Sequence, residues 1–463
     1  MPPILAKKDS RSHLYGQPSF DKFYAGVFML ATLVVLLVVT YIYSLVGYKD
    51  AVEPYMENIR LFGTIEYFLL IFLSLTDIKI KSLLKITIIT LFFVILLVKM
   101  TYNYVDVDIL GLTKDGYKYL DFGLKYSELS YPDFIRSIFS QSFYADDLGY
   151  FSIVYFFYQI YPDKFFVVYG IILLNFAFLY ISSSYFYKLC KQLCGSEGAS
   201  KLIVTLWCAS PYLMLIICNG MKEVFFTSII IIAVYNIYQF KATKNLFNLA
   251  GAFGFATLCL FFRSAVFYML IVMFIIVLTM THKNKKLYFI IIIAALATFQ
   301  VVIPFIIEKV IGVSLEIIIK TAAWRIERSS AGQASYAGYL PVLAAILGPF
   351  PIFDRPAIYS IEFSQAVFVK DVLGLSFFLG IYDKIKRLDI VYLPLLIYIL
   401  FNIVMMIMAG VTLDLRYHMT YLPFFFLIAV PYLKKKYIWD WGFIAFVLII
   451  IYFYGTRKVI HTS

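Results

Sequence analysis

The residues able to do chemistry gather at a few places. The stretch TYNYVDVDILGLTKDGYKYLDFG carries Asp106, Asp108, Asp115 and Asp121 close together. Carboxylates so placed can act as general bases or bind a cation. The competing reading is a solvated polar loop, and Asp121, Asp146 and Asp147 are expected to be solvated. Asn219-Gly220-Met221-Lys222-Glu223 forms a tight turn between two apolar runs. An ionisable pair there is costly unless it is paired or used. Lys222 and Glu223 are therefore either a functional pair or a local salt bridge with a snorkelling lysine. Arg263, in LFFRSAVFY, lies between two apolar runs with almost no loop, and must reach water or an anion.

Two more arginine groups follow. Arg325 and Arg328 are three apart and would share a helical face, and Arg355 follows a Pro/Gly-rich apolar stretch. Arginine suits planar, bidentate recognition of phosphate. These three make the best anion site in the chain, unless they pair with Glu327, Asp354 or Glu362. LDLRYHMTYLPFFFL carries Arg416, Tyr417 and His418, the last either a polar cap or a catalyst. The catalytic reading rests on Asp115, Asp108, Asp106 and Glu223. The binding reading rests on Arg325, Arg328, Arg355, Arg416, Arg263, Lys222, Tyr417 and His418. No cofactor is called for and no metal ligand is assigned.

These residues must be held by apolar elements. Hydrophobic residues make up 62% of the 463 and charged residues only 15%, against about half and about a quarter in soluble domains. The excess falls in blocks of roughly 17–25 residues, the length of a bilayer-spanning helix. Backbone in hydrocarbon must satisfy its own hydrogen bonds, so the fold class is all-α, a polytopic helix bundle. A membrane barrel would show short alternating segments instead. The formal charge of +12 does not point to nucleic acid, because the basic residues sit in small clusters between the apolar blocks. The five cysteines show no disulfide or zinc spacing and read as small buried hydrophobes.

The expected spans are Tyr24–Val46, Leu61–Leu75, Leu83–Lys99, Phe165–Tyr185, Leu202–Cys218, Val224–Phe240 and Leu246–Phe262. They continue with Ala265–Met280, Leu287–Ile307, Val367–Tyr382, Val391–Val411, Tyr421–Leu433 and Tyr437–Tyr454. About 12–14 crossings are expected. The first block is too long for a signal h-region and lacks a small-residue cleavage site, so it is expected to be retained. Lys7, Lys8, Arg11 and Lys22 precede it and place the N-terminus in the cytoplasm. Basic clusters recur at every second connection, from Lys79/Lys81/Lys85 to Lys434/Lys435/Lys436. Two long connections, 101–164 and 308–366, then face outward. Within them, Gly149–Tyr161 and Tyr339–Phe353 are too short for the alternation and are expected as re-entrant or surface helices. The chain reads as one membrane domain over 1–463, with the chemistry-bearing charge at its outer surface. Phosphate-binding loops, dinucleotide fingerprints, nucleophile elbows and zinc-protease motifs are missing from the sequence.

The layout resembles bacterial polysaccharide polymerases of the O-antigen (Wzy-type) and exopolysaccharide (EpsG-like) kind, within the wider GT-C-like membrane glycosyltransferases. DGYKY at Asp115–Tyr119 is similar to the Asp-x-x-x-Tyr of their first large outer loop. The segment from Asp147 through Phe166 is similar to their membrane-surface segment, and Asn219–Glu223 and Phe261–Ser264 to their charged hairpin tips. LRYHMTYLPFFF, from Leu415, is similar to a late arginine–tyrosine–proline segment of GT-C enzymes. The spacing Arg328 to Gly338 is one residue short of the polymerases' Arg-x10-Gly pattern. The acidic loop follows the third span rather than the first, which favours the polymerase over a strict GT-C enzyme.

The resemblance implies an undecaprenyl-pyrophosphate-linked donor at the outer, periplasmic face of the bacterial inner membrane. It implies polymerisation of lipid-linked oligosaccharide repeat units. The alternatives are transfer of one sugar from a polyprenyl phosphate, and a flippase or transporter. Partners would be the polyprenyl-linked substrate, membrane lipid, a flippase and a chain-length regulator, with no nucleic acid. The arginines would stabilise the departing phosphate, and one carboxylate would orient or deprotonate the acceptor hydroxyl.

Overall fold

The computed structural model describes residues 20–45, 54–104, 114–140, 147–281 apart from 219, 345–348, 367–387, 389, 391–408, 415–433 and 441–449. All secondary structure among them is helical. The first helices are α1 (Lys22–Leu45), α2 (Pro54–Leu75), α3 (Ile80–Tyr104), α4 (Lys114–Lys125), α5 (Tyr131–Ser140) and α6 (Leu148–Ile160). Then come α7 (Lys164–Cys194), α8 (Glu197–Cys208), α9 (Pro211–Cys218), α10 (Glu223–Thr243), α11 (Leu246–Leu260) and α12 (Ser264–Thr281). After them lie a helical stretch at 367–372, α13 (Gly374–Lys386), α14 (Leu393–Met408), α15 (Leu415–His418), α16 (Leu422–Ala429) and a last stretch at 441–449.

Three helices are long and apolar enough to cross a membrane: α1 over Lys22–Val39, α7 and α10. Shorter apolar helices include α6, α11, α14 and the Leu422–Tyr432 segment. Burial is radial. Each residue of α16 is buried, as is nearly all of α8 and the first half of α10. The helices around them keep large apolar side chains outward, such as Leu30, Phe93, Leu173, Phe247 and Leu400. So much exposed apolar surface suits lipid and not water.

Several expected spans take another form. Leu202–Cys218 is not one helix: it breaks at Ala209 and Ser210, between α8 and α9. Pro211 has no N–H to donate and its ring clashes with a preceding carbonyl, so it starts a new helix. Tyr421–Leu433 is a short helix, α16, ending in a single 3-10 turn at Val430–Tyr432. Gly149–Tyr161, expected as a re-entrant or surface helix and not as a span, is the continuous helix α6. It turns back at Tyr161–Asp163 and packs along α7, with Gly170 under the Phe157 ring. Leu287–Ile307 and most of Tyr339–Phe353 lie outside the described residues.

Polar contacts pin the ends away from the site. Asp21 caps α1 through the Tyr24 N–H at 3.0 Å, and Lys22 bonds Asp77 at 3.0 Å. That hydrogen bond and the ammonium charge hold the Asp77 carboxyl below the usual range. Buried Lys201 donates to Thr76 O and Ile78 O, both at 3.0 Å, tying the α2–α3 turn to α8. The five cysteines form no disulfide and, apart from partly exposed Cys194, are buried.

Close approach of α13 and α16 depends on one glycine. A Cβ at Gly380 would lie 2.9 Å from the backbone oxygen of Ile428 and 2.7 Å from its Cγ2. Backbone cannot move aside cheaply, so Gly380→Ala is expected to cost about 1–3 kcal/mol, as overpacking does. A lower thermal midpoint for the purified variant in detergent checks this, and an unchanged midpoint would show that the two helices have room.

Candidate functional site

The register of α7 against α10 sets where the site lies. The two run parallel. Phe178 meets Phe225 at 4.2 Å between ring centroids, Ser182 donates to Ser228 at 3.0 Å, and Gln239 donates to Gln192 at 3.0 Å. From these pairs α7 begins about 18 Å before α10, at 1.5 Å per residue. Helix α6 stands beside that overhang, its N-terminal end level with the start of α10. Helix α4 runs parallel to α6, with Tyr119 against Tyr150 and Gly123 against Val154. The first turn of α4, which holds Asp115, therefore comes down to the same level.

Four separated segments meet there. The turn before α10 places Gly220 at φ 59°, a left-handed conformation that glycine takes without a Cβ penalty. Its carbonyl accepts the Tyr150 hydroxyl of α6 at 2.5 Å. Gly149 N–H donates to Phe261 O at 2.7 Å, joining α6 to the turn between α11 and α12. Lys222 is 4% exposed, forms an ion pair with Asp147, and donates to Phe262 O at 2.9 Å. Beside Phe262, the Arg263 guanidinium lies 4.3 Å from the Tyr417 ring centroid and 5.8 Å from that of Phe226. Tyr417 brings in α15 with its neighbours Arg416 and His418.

This arrangement corrects one expectation. Asp147 is not fully solvated: its partly buried carboxylate is the ion-pair partner of Lys222, 75 residues away in sequence. The charged turn closes the hairpin of α9 and α10, and α7 and α6 extend past it. Asp121 does lie exposed, 3.6 Å from Lys164. Lys222 and Glu223 do not pair with each other as a local bridge. Glu223 opens α10, is 4% exposed, and its Oε2 has no hydrogen-bond partner among the described residues. A buried carboxylate oxygen left unpaired is costly, as expected of a group kept for a ligand rather than for stability.

The predicted residues divide accordingly. Lys222, Glu223, Arg263 and Tyr417 come together, and Arg416 and His418 flank Tyr417 on α15. The backbone of Asp115 approaches them, and its side chain lies outside the described residues. Asp106, Asp108, Asp146, Arg325, Arg328 and Arg355 also lie outside them.

A second polar cluster adjoins α15. Lys370 Nζ donates to Leu347 O at 3.1 Å and to Gly348 O, and lies 3.2 Å from His418 Nδ1. Tyr421 Oη is 2.7 Å from the same nitrogen and donates to Ala345 O at 2.8 Å. Neighbouring Asp371 is fully buried, and neither carboxylate oxygen has a hydrogen-bond partner among the described residues. Sequence reading passed over Lys370, Asp371 and Tyr421. The available signal was the Lys-Asp pair inside the apolar block Val367–Tyr382, where ionisable groups mark function by default. Among the described residues no group of three or more His, Cys, Asp and Glu is arranged to hold a metal ion. No protein-family model, curated protein or solved structure matches the chain.

Proposed function

We propose that this chain is a polytopic membrane glycosyltransferase that polymerises lipid-linked oligosaccharide repeat units. The observation that carries the reading is the meeting of Lys222 and Arg263 with the Glu223 carboxylate at one level, inside an apolar helical body. A polyprenyl-linked donor presents its sugar C1–O–phosphate bond at such a place, with its hydrocarbon against the apolar helices. As that bond breaks, the sugar becomes oxocarbenium-like and the phosphate gains charge. Preorganised cations in a water-poor site are worth about 3–4 kcal/mol of barrier per well-placed donor. Arg263, its guanidinium 4.3 Å from the Tyr417 ring centroid, supplies the planar fork of donors that suits a phosphate. Lys222 adds positive charge, and Glu223 orients the acceptor hydroxyl. The departing pyrophosphate supplies the driving force.

In this reading the N-terminus is cytoplasmic and the site opens to the periplasmic side of the inner membrane, with a flippase and a chain-length regulator as partners. Transfer of a single sugar from a polyprenyl phosphate would use the same groups. One observation favours a flippase or transporter instead: the site lies well inside the helical body, beside the interrupted pair α8–α9, as transporter sites do.

Deleting the gene and running surface polysaccharide on a gel separates the three. Collapse of the ladder to core plus one repeat unit is expected. A persistent ladder with altered mobility would replace the polymerase by a single-sugar transferase. Loss of all surface repeats, with lipid-linked precursor trapped inside, would replace it by a flippase. Orientation has its own test. Lys118, exposed on α4, and Lys386, exposed at the end of α13, lie toward opposite ends. Lys118→Cys should react with an impermeant thiol reagent from the periplasm and Lys386→Cys should not; the reverse pattern would invert the topology.

A further inference from the structure

Lys241 lies in the last turn of α10, at the end away from the site. Its Nζ is buried and has no hydrogen-bond partner among the described residues. A lysine at a membrane surface ordinarily snorkels, with its stem on apolar surface and its ammonium in water. This ammonium is out of water. A cation can also serve the negative end of the helix dipole, but it then bonds the last carbonyls, and Lys241 bonds none. Asp389 is the acidic group whose charge acts on Lys241, and it is taken. Lys384 Nζ lies 2.9 Å from its Oδ2, and the Val391 N–H donates to its Oδ1 at 3.1 Å. Among the described residues the other acids of this end are taken too, Asp383 by Arg387 at 2.8 Å and Glu197 by Lys201 at 3.8 Å. Lys244 adds a second positive charge that acts on Lys241. It caps α10 at φ 58°, and is the sole left-handed residue other than glycine among the described residues. Helices usually place glycine at such a cap, because a Cβ is penalised there.

We propose that Lys241 and Lys244 form a binding site for the phosphate of an anionic phospholipid at this end of the bundle. The phosphate supplies the negative charge that neither ammonium finds among the described residues. Lys241 is a partly exposed residue on a flexible four-carbon stem, so its ammonium can turn outward to meet a phosphate beside Lys244. Apolar surface for the acyl chains already faces outward at this end. Leu246 is 72% and Phe247 85% exposed at the start of α11, and Val391 is 42% exposed before α14. A free phosphate would meet the two charges and leave those side chains bare. Tyr238, one turn before Lys241, donates to Val391 O at 2.9 Å and fixes α10 against the turn that leads into α14. In the proposed orientation this is the cytoplasmic face, where basic pockets between helices hold anionic head groups. A seated lipid would brace the helix whose other end carries Lys222 and Glu223.

The test is lipid binding by the purified full-length protein in a neutral detergent, read by native mass spectrometry and by thermal midpoint. Phosphatidylglycerol is expected to bind and to raise the midpoint. Phosphatidylcholine of the same chain length is expected to bind more weakly and to raise it less. Lys241→Met and Lys244→Gly are each expected to weaken phosphatidylglycerol binding about 5-fold. Lys244→Gly separates the site from stability alone. Glycine relieves the left-handed cap, so the midpoint without lipid should rise while the effect of the lipid shrinks. That arm stands even if Lys241→Met does not fold. Phosphatidylglycerol bound equally well by Lys244→Gly and by the unsubstituted protein would overturn the proposal. Equal stabilisation by phosphatidylcholine would overturn it as well, leaving only an apolar surface. Equal stabilisation by inorganic phosphate would replace the lipid by a free anion. None of these readouts depends on the chain being a polymerase.

Discussion

Arg263→Lys is expected to shorten the surface-polysaccharide ladder severely, cutting polymerisation about 100-fold, close to 3 kcal/mol of barrier. The substitution keeps a positive charge and a long stem. It removes the planar fork that can bond two phosphate oxygens at once, and the flat face that lies on Tyr417. Stability should change little, since an arginine on a ring is worth about 0.5–1 kcal/mol where partly exposed. The two readouts therefore separate: thermal midpoint nearly unchanged, glycan output collapsed. If Arg263→Lys polymerises normally, a point charge suffices and bidentate phosphate binding at this position is wrong. If instead the midpoint falls along with activity, Arg263 is chiefly a packing residue between Phe226 and Tyr417.

Lys222→Met has the opposite signature, with stability lost first. Removing one member of a buried ion pair leaves the other uncompensated, at about 3–5 kcal/mol. Asp147 would be the stranded partner, and Phe262 O would lose its donor. Because Lys222 joins α6, α10 and the turn before α12, that loss should loosen all three at once. Replacing both partners, as in Lys222→Met with Asp147→Leu, should recover much of the stability. A buried pair exchanged for apolar groups is often neutral in stability. Polymerisation should stay low in the double variant, because the positive charge beside the phosphate is gone. Thermal midpoints of the two single variants and the double variant, in one detergent, measure the coupling. Independent, additive effects would show that the pair contributes nothing as a pair.

Nearest-neighbour chemistry was legible along the chain. Apolar blocks of spanning length announced helices, and the Asn219–Glu223 turn and Arg263 announced charge at helix ends. Both came true as helices α7, α10, α11 and α12 and the turns between them. The break before Pro211 was also written in the sequence, in a residue that cannot donate to a preceding turn. The hydropathy of the run hid it. Lys370 and Asp371 were in plain view too, inside an apolar block, where the long uncharged flanks outweighed them.

Other features follow from no local pattern. Asp147 finds Lys222 across 75 residues, and Lys370 finds His418 across 48. Composition around Asp147 predicted solvation, because a carboxylate at the start of a helix is ordinarily exposed. What buries it is the sideways register of α7, which overhangs α10 and carries α6 down against its first turn. Helix formation answers to each residue's own backbone and near neighbours, so the sequence by itself determined the apolar helices and their charged ends. Register between helices answers to the packing of distant side chains such as Phe178 on Phe225, where sliding one turn exchanges every contact for another. That packing alone decided which charges are buried, which are paired, and that Lys222, Glu223 and Arg263 lie together.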